Sequence, residues 1–186
     1  MLDSDTFNRT AQSDLRAILR RGTRAAHERL DARVEALDIA SESGLTVMLR
    51  ASRDALVALR PALDRLDLPS AAPLQAAIAR DLDTLCADPG PRLTLRYEGA
   101  PLGAYYVVAG SRLGAQVLSR DHAVRATGRA RYVTSYLDAP EGMDMWKAFL
   151  AYPLSAQTDA TATLAGANAA FGIFQEAFDH HIGRNT

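Results

Sequence analysis

The chain is almost without lysine and cysteine. Lys147 is the only lysine of its 186 residues, so any anion it holds falls mainly to guanidinium groups. Cys86 is the only cysteine, which excludes an intramolecular disulfide and fits a reducing compartment. It continues the apolar pattern of Leu82 and Leu85, so a buried structural thiol is expected there. No apolar run approaches the ~20 residues that span a bilayer. Residues 1–10 are polar and hold no apolar signal core, so no membrane segment and a cytoplasmic location are expected. Excess charge is missing as well. The formal net charge is −1 at pH 7, which leaves no electrostatic footprint for nucleic acid or an anionic membrane.

What is present is an ordinary globular composition, 48% hydrophobic and 23% charged, at a length that fits one domain with one core. Helical periodicity dominates. A first helix is expected to start at Ser13 or Asp14, either of which can cap it, with Leu15, Ile18, Leu19, Ala26, Leu30, Val34 and Leu37 inward. That leaves 1–12 as a flexible N-terminal segment ahead of a domain over 13–183. A second helix is expected over 41–66, kinked or split at Pro61, and a third over 71–86. The run Asp88-Pro89-Gly90-Pro91 then breaks the pattern and opens a loop to about Pro101. Residues 92–97 alternate like a strand, but no partner strand is visible, so loop is preferred. A fourth helix is expected over 102–119, and short ones over 129–137 and 143–152. The last, over 158–181, turns Leu164, Phe171, Phe174 and Phe178 inward. The expected fold is a single-domain all-α helical bundle.

Two helices carry candidate chemistry. On the first, His27 falls about 90° from the centre of the apolar stripe, at its flank. Arg20 lies only about 20° away and ~10 Å along the axis, so an imidazole and a guanidinium share the border of the core. A flat ligand with a metal centre and an anionic edge can use both, though a lone helical histidine is more often a boundary residue. The run His27-Glu28-Arg29-Leu30-Asp31 begins like a zinc-protease motif, but Asp31 stands where the second histidine is needed, which excludes that reading.

On the fourth helix, Gly103, Gly110 and Gly114 share one stripe. An interior glycine costs about 1 kcal/mol against alanine. Two readings are open: close packing against another helix, or close approach of backbone to a ligand with a bend at Gly110-Ser111. Tyr105 and Tyr106 precede the glycines, and each has two readings: a core residue, or a hydroxyl that bonds a ligand's anionic edge.

These segments resemble a known family. Thr23-Arg24-Ala25-Ala26-His27-Glu28-Arg29-Leu30-Asp31 resembles the proximal helix of heme oxygenases. Tyr106-Val107-Val108-Ala109-Gly110-Ser111-Arg112-Leu113-Gly114-Ala115-Gln116-Val117-Leu118 resembles their distal helix, especially in bacterial members, including those linked to bacterial phytochromes. The late aromatics Trp146, Phe149, Phe171 and Phe174 are similar to the bacterial C-terminal half. The resemblance implies a heme-oxygenase-like bundle with heme between a proximal and a distal helix. It implies that heme is cleaved with O₂ to biliverdin, carbon monoxide and ferrous iron, with electrons from an external donor such as a ferredoxin or a flavoprotein reductase.

Carried over residue by residue, the resemblance makes His27 the iron ligand and Gly110 and Gly114 the distal glycines. Arg20 becomes a propionate anchor and Tyr106, with Tyr105, the phenol, while Ser111 joins the cofactor-binding set. The chain departs from the pattern at Ala109, where many bacterial members are acidic, and at Ala115, where many have a further glycine. The usual propionate lysines are missing, and arginine can replace them bidentately.

Other signals are weaker. Arg112, Arg120, Arg125, Arg129 and Arg131 around His122 read as a solvated face or as a docking patch for an acidic electron donor. His180 and His181 are adjacent on a helix and point apart, which argues against a metal site. The alternative functions are a heme sensor or carrier on the same fold, and a helical hydrolase of the thiaminase type. The latter needs a reactive cysteine, for which Cys86 in its apolar setting is a poor candidate.

Overall fold

The computed structural model describes residues 4–155 and 158–184, with side chains from residue 11 onward, and its regular elements are all helical. They are α1 (Ser4–Glu35), α2 (Glu42–Leu63), α3 (Ala72–Thr84), α4 (Pro101–Arg125), α5 (Glu141–Ala151) and α6 (Ala160–Gly183), with a 3₁₀ turn at Ala130–Tyr132. Among the described residues no helix is long and apolar enough to cross a membrane.

Helix α1 is already helical at Ser4, upstream of the expected cap at Ser13 or Asp14. The expected flexible segment over 1–12 is therefore helical where it is described, and residues 1–3 lie outside the described residues. Gln12 is buried, and its amide donates to the carbonyl of Phe149, which ties this early turn to the end of α5. Helix α2 opens on Ser41, whose hydroxyl accepts from the amide of Gly44 at 3.1 Å. It runs through Pro61, which falls in its last turn. Helix α6 opens on Asp159, which accepts from the amides of Thr161 and Ala162. Both caps satisfy backbone donors that the first turn of a helix leaves unpaired.

Helix α6 is the centre of the bundle: α1, α2 and α4 all pack on it, α5 packs on α4, and α3 on α2. Small residues make this possible. A Cβ on Gly103 of α4 would run into the backbone of Thr163 and Ala167, and one on Gly22 of α1 would stand 2.6 Å from Leu164 Cδ1. The core between the helices includes Leu19, Leu45, Leu49, Leu56, Leu59, Leu74, Ile78, Val108 and Phe149, all less than 2% exposed.

The stretch between α3 and α4 holds no regular structure, so the alternation over 92–97 forms no strand. Side chains of α2 take the place of a sheet partner. Arg53 donates to the carbonyls of Pro89 and Pro91, and the carboxylate of Asp54 accepts from the amide of Leu93 at 3.1 Å.

Candidate functional site

On α1, His27 is held but not hidden. Its side chain is 61% exposed, Nδ1 lies 2.7 Å from Asp31 Oδ2, and the ring meets Phe171 of α6 edge-on with centroids 5.7 Å apart. With Nδ1–H donated to Asp31, Nε2 is the nitrogen that keeps a free lone pair. The aspartate that excludes a zinc-protease motif thus orients the imidazole. Arg20 is exposed, and no hydrogen bond or ion pair is recorded for it among the described residues. Arg24 is already engaged, with Nε 2.7 Å from Glu28 Oε1.

Arg16 went unnoticed in the sequence, although it stands eleven residues before His27, three helical turns, and so within about 20° of the same face. Its guanidinium lies over the ring of Trp146, 6.0 Å from the centroid. Trp146 stacks on Phe149 at 5.6 Å, and Tyr106 of α4 tilts against both rings. Trp146 also reaches under α4, where a Cβ on Gly110 would stand 3.7 Å from it. The α1 and α4 faces therefore converge on one indole.

The glycine stripe divides. Gly103 packs on α6, so close helix contact is its explanation. A Cβ on Gly114 would meet nothing within 4 Å, and one on Gly110 only Trp146. These two glycines make no room for a neighbouring helix. They lie instead on a face with Leu113, 40% exposed, and Val117, 64% exposed. A surface helix normally turns polar residues outward. This one turns out two glycines and two large apolar side chains at helical spacing. It is an open face and not an enclosed cavity. A cavity of about 320 Å³ lies elsewhere on α4, lined in part by Arg112, Arg120, Asp138 and Met143.

This division can be measured. Gly103→Ala should destabilise the ligand-free protein by about 1–3 kcal/mol, because backbone cannot yield to the new methyl. Gly114→Ala should hold its stability or gain up to ~1 kcal/mol of helix propensity. Thermal melts of the two variants check this. A Gly114→Ala protein as weakened as Gly103→Ala would mean that Gly114 is packed after all.

Several expected site residues stand elsewhere. Tyr105 is fully buried, and its hydroxyl donates to the carbonyl of Pro69 at 3.1 Å, while burial pushes its pKa up to about 12. It is a core residue turned away from the open face. Tyr106, half-buried beside Trp146, is the phenol on that face. Ser111 lies to one side, its hydroxyl donating to the carbonyl of Val108 at 2.7 Å. Ala109 is fully buried, so the position that is acidic in many heme oxygenases does not reach the open face here.

The basic stretch is not one solvated patch. Arg112 is 3% exposed, donates to the carbonyls of Tyr136 and Leu137, and lies over the Tyr136 ring. His122 is 1% exposed, with Nδ1 3.0 Å from the carbonyl of Ile39 and Nε2 2.9 Å from that of Ala130. Arg125 pairs with Asp121 and Asp38, and Arg129 with Glu42. Cys86 is exposed and not buried, because α3 ends at Thr84 and Cys86 takes a left-handed φ of 50°.

Compared with protein-family models and with curated proteins, the chain matches none.

Proposed function

We propose that the chain binds heme between α1 and α4 and opens its ring with O₂. The observation that carries this is the outward face of α4 at Gly110, Leu113, Gly114 and Val117, apolar where solvent would select polar residues and bare where a flat ligand would lie. A macrocycle against that face finds a free imidazole nitrogen on α1 and arginines beside it for its carboxylates. Among the described residues no three His, Cys, Asp or Glu side chains are grouped to hold a metal ion. An iron at His27 therefore fits best if it arrives with ligands of its own.

Each residue then has a definite task. His27 ligates through Nε2, and Asp31 holds the ring and its tautomer by accepting from Nδ1. Arg20, with Arg16 nearby, faces the acidic edge, and the Tyr106 hydroxyl can donate to it. Gly110 and Gly114 allow backbone to approach the far side of the ring and crowd the space above it. Apart from the Tyr106 phenol, which is turned to the acidic edge, that face carries no acid or base, so protons are delivered by water. Heme, as substrate, brings the iron at which O₂ is reduced, and leaves as biliverdin, carbon monoxide and ferrous iron. The electrons come from an external donor, a ferredoxin or a flavoprotein reductase.

The test is the absorption spectrum of the purified chain with hemin, before and after ascorbate in air. A histidine-ligated Soret band that gives way to biliverdin is expected. A stable band with no turnover would favour a sensor or carrier, and no band at all would reject the site. Arg20→Ala should weaken hemin binding by ~1.5–3 kcal/mol, the range for a hydrogen bond to a charged group. Hemin titration checks this, and an unchanged affinity would remove Arg20 from the site.

A further inference from the structure

A second constellation, in which α1, α4 and α5 take no part, lies where α2, the 88–91 loop and the end of α6 meet. Asp54 is 1% exposed and His181 6%. The Asp54 carboxylate accepts from His181 Nε2 at 2.8 Å, from Arg53 Nε at 2.8 Å and from the amide of Leu93 at 3.1 Å. Burial alone would raise the Asp54 pKa, but the bonds from His181, Arg53 and Leu93 outweigh it and hold the group at about 2. The histidine is thus fixed by a permanent carboxylate behind it. Its other ring nitrogen, Nδ1, makes no hydrogen bond among the described residues.

The same histidine lines a cavity of about 190 Å³ together with Val47, Arg50, Asp88 and Arg184. That volume exceeds the ~30 Å³ share of one water in the liquid several-fold. Arg50 is pre-set: its Nε donates to the carbonyl of Asp88 at 3.1 Å, and its Nη2 to the same oxygen. Asp88 Oδ1 is occupied by the amide of Gly90 at 2.8 Å. The charged and titratable groups around the cavity are therefore Arg50 from α2, Asp88 from the loop, and His181 and Arg184 from α6. Two guanidiniums at the carbonyl end of a helix also answer its negative pole, but that does not account for a buried imidazole with one nitrogen unused.

We propose that this cavity is a phosphate site, distinct from the α1–α4 groove. With Nε2–H donated to the Asp54 carboxylate, the ring tautomer that leaves Nδ1 bare offers that nitrogen as an acceptor. A phosphate bearing one proton satisfies it by donating that O–H, while its other oxygens accept from Arg50 and Arg184. A carboxylate has no proton to give at neutral pH and is the poorer ligand. The phosphate is the free ion, which keeps one proton through neutral pH, or the monoanion of a monoester, whose last proton leaves at about pH 6.

The experiment follows the His181 ring nitrogens by NMR in the full-length, heme-free chain. Inorganic phosphate and phenyl phosphate are titrated at constant ionic strength, with acetate as control. A saturable shift of His181 Nδ1 with phosphate and none with acetate is expected, weakened at least tenfold in Arg184→Gln and in Arg50→Gln. Saturation by inorganic phosphate alone assigns the free ion, and tighter binding of phenyl phosphate assigns a monoester. Arg184 is exposed, so its variant should fold normally, and a thermal melt confirms that. A non-saturating drift, or shifts equal in wild type and Arg184→Gln, would mean an adventitious ion only and would overturn the proposal.

Discussion

His27→Ala is expected to lose the histidine-ligated heme spectrum and most turnover while the fold stays intact. The side chain is mostly in solvent, so the ligand-free protein should change by no more than about 0.5 kcal/mol. No other histidine can stand in. His122 is locked between two carbonyls, and His180 and His181 lie at the far end of α6. Hemin affinity should fall by more than the ~10-fold expected of Asp31→Asn, which removes only the partner that orients the ring. Added imidazole should restore part of the spectrum. An unchanged Soret band with unchanged turnover would reject His27 as the ligand.

Asp54→Ala should produce the largest loss of stability. It leaves the buried Arg53 guanidinium and the His181 ring without their acceptor, and frees the 88–93 stretch from α2. Removing one partner from a buried charged pair costs ~3–5 kcal/mol. The pH dependence has a definite sign. The folded value of about 2 lies below the ordinary 3.8, so the unfolded chain takes up the proton first as pH falls. The stabilisation, about 2.5 kcal/mol for a shift of this size, is complete above roughly pH 4 and is lost as pH falls through 2. Urea melts at pH 7 and pH 2.5 should show wild type and Asp54→Asn far apart at the first and closer at the second. Equal separation at both would mean that the carboxylate charge contributes nothing.

The helices were legible because apolar spacing reports them directly: Leu15, Leu19 and Ala26, or Phe171, Phe174 and Phe178, turn inward as their periodicity requires. Their ends were less so. Helix α4 runs on to Arg125, since residues 119–122 contain no breaker and nothing in their polar character reveals that His122 is buried between two carbonyls. The expected helix over 129–137 shrinks to one 3₁₀ turn, because Asp81 accepts from the amides of Ser135 and Tyr136 and holds that stretch in another shape. Arg112 fails in the same way as His122. A charged residue inside a basic run reads as solvated, and only its carbonyl partners, remote in sequence, reverse that. Of the candidate site, periodicity put His27 and Arg20 on one face and the three glycines on another. It could not separate Gly103 from Gly110 and Gly114, because all three share a stripe and only tertiary contact distinguishes them. Arg16 was within reach of the same geometry, while Asp54 with His181 was not, since their pairing spans α2 and α6.

Trp146 is the only tryptophan in the chain, and it sits between Arg16 and Gly110, at the junction of the α1 and α4 faces. The tryptophan fluorescence of this protein, excited to the red of its six tyrosines, is therefore the emission of one indole at the edge of the proposed heme groove. A strongly absorbing ring placed there drains the excited state by energy transfer, so quenching counts filled grooves without a label. Phosphate in the cavity beside His181 neither absorbs in that range nor touches the indole. Emission that falls with hemin and ignores phosphate would thus report the heme groove alone, even with phosphate present.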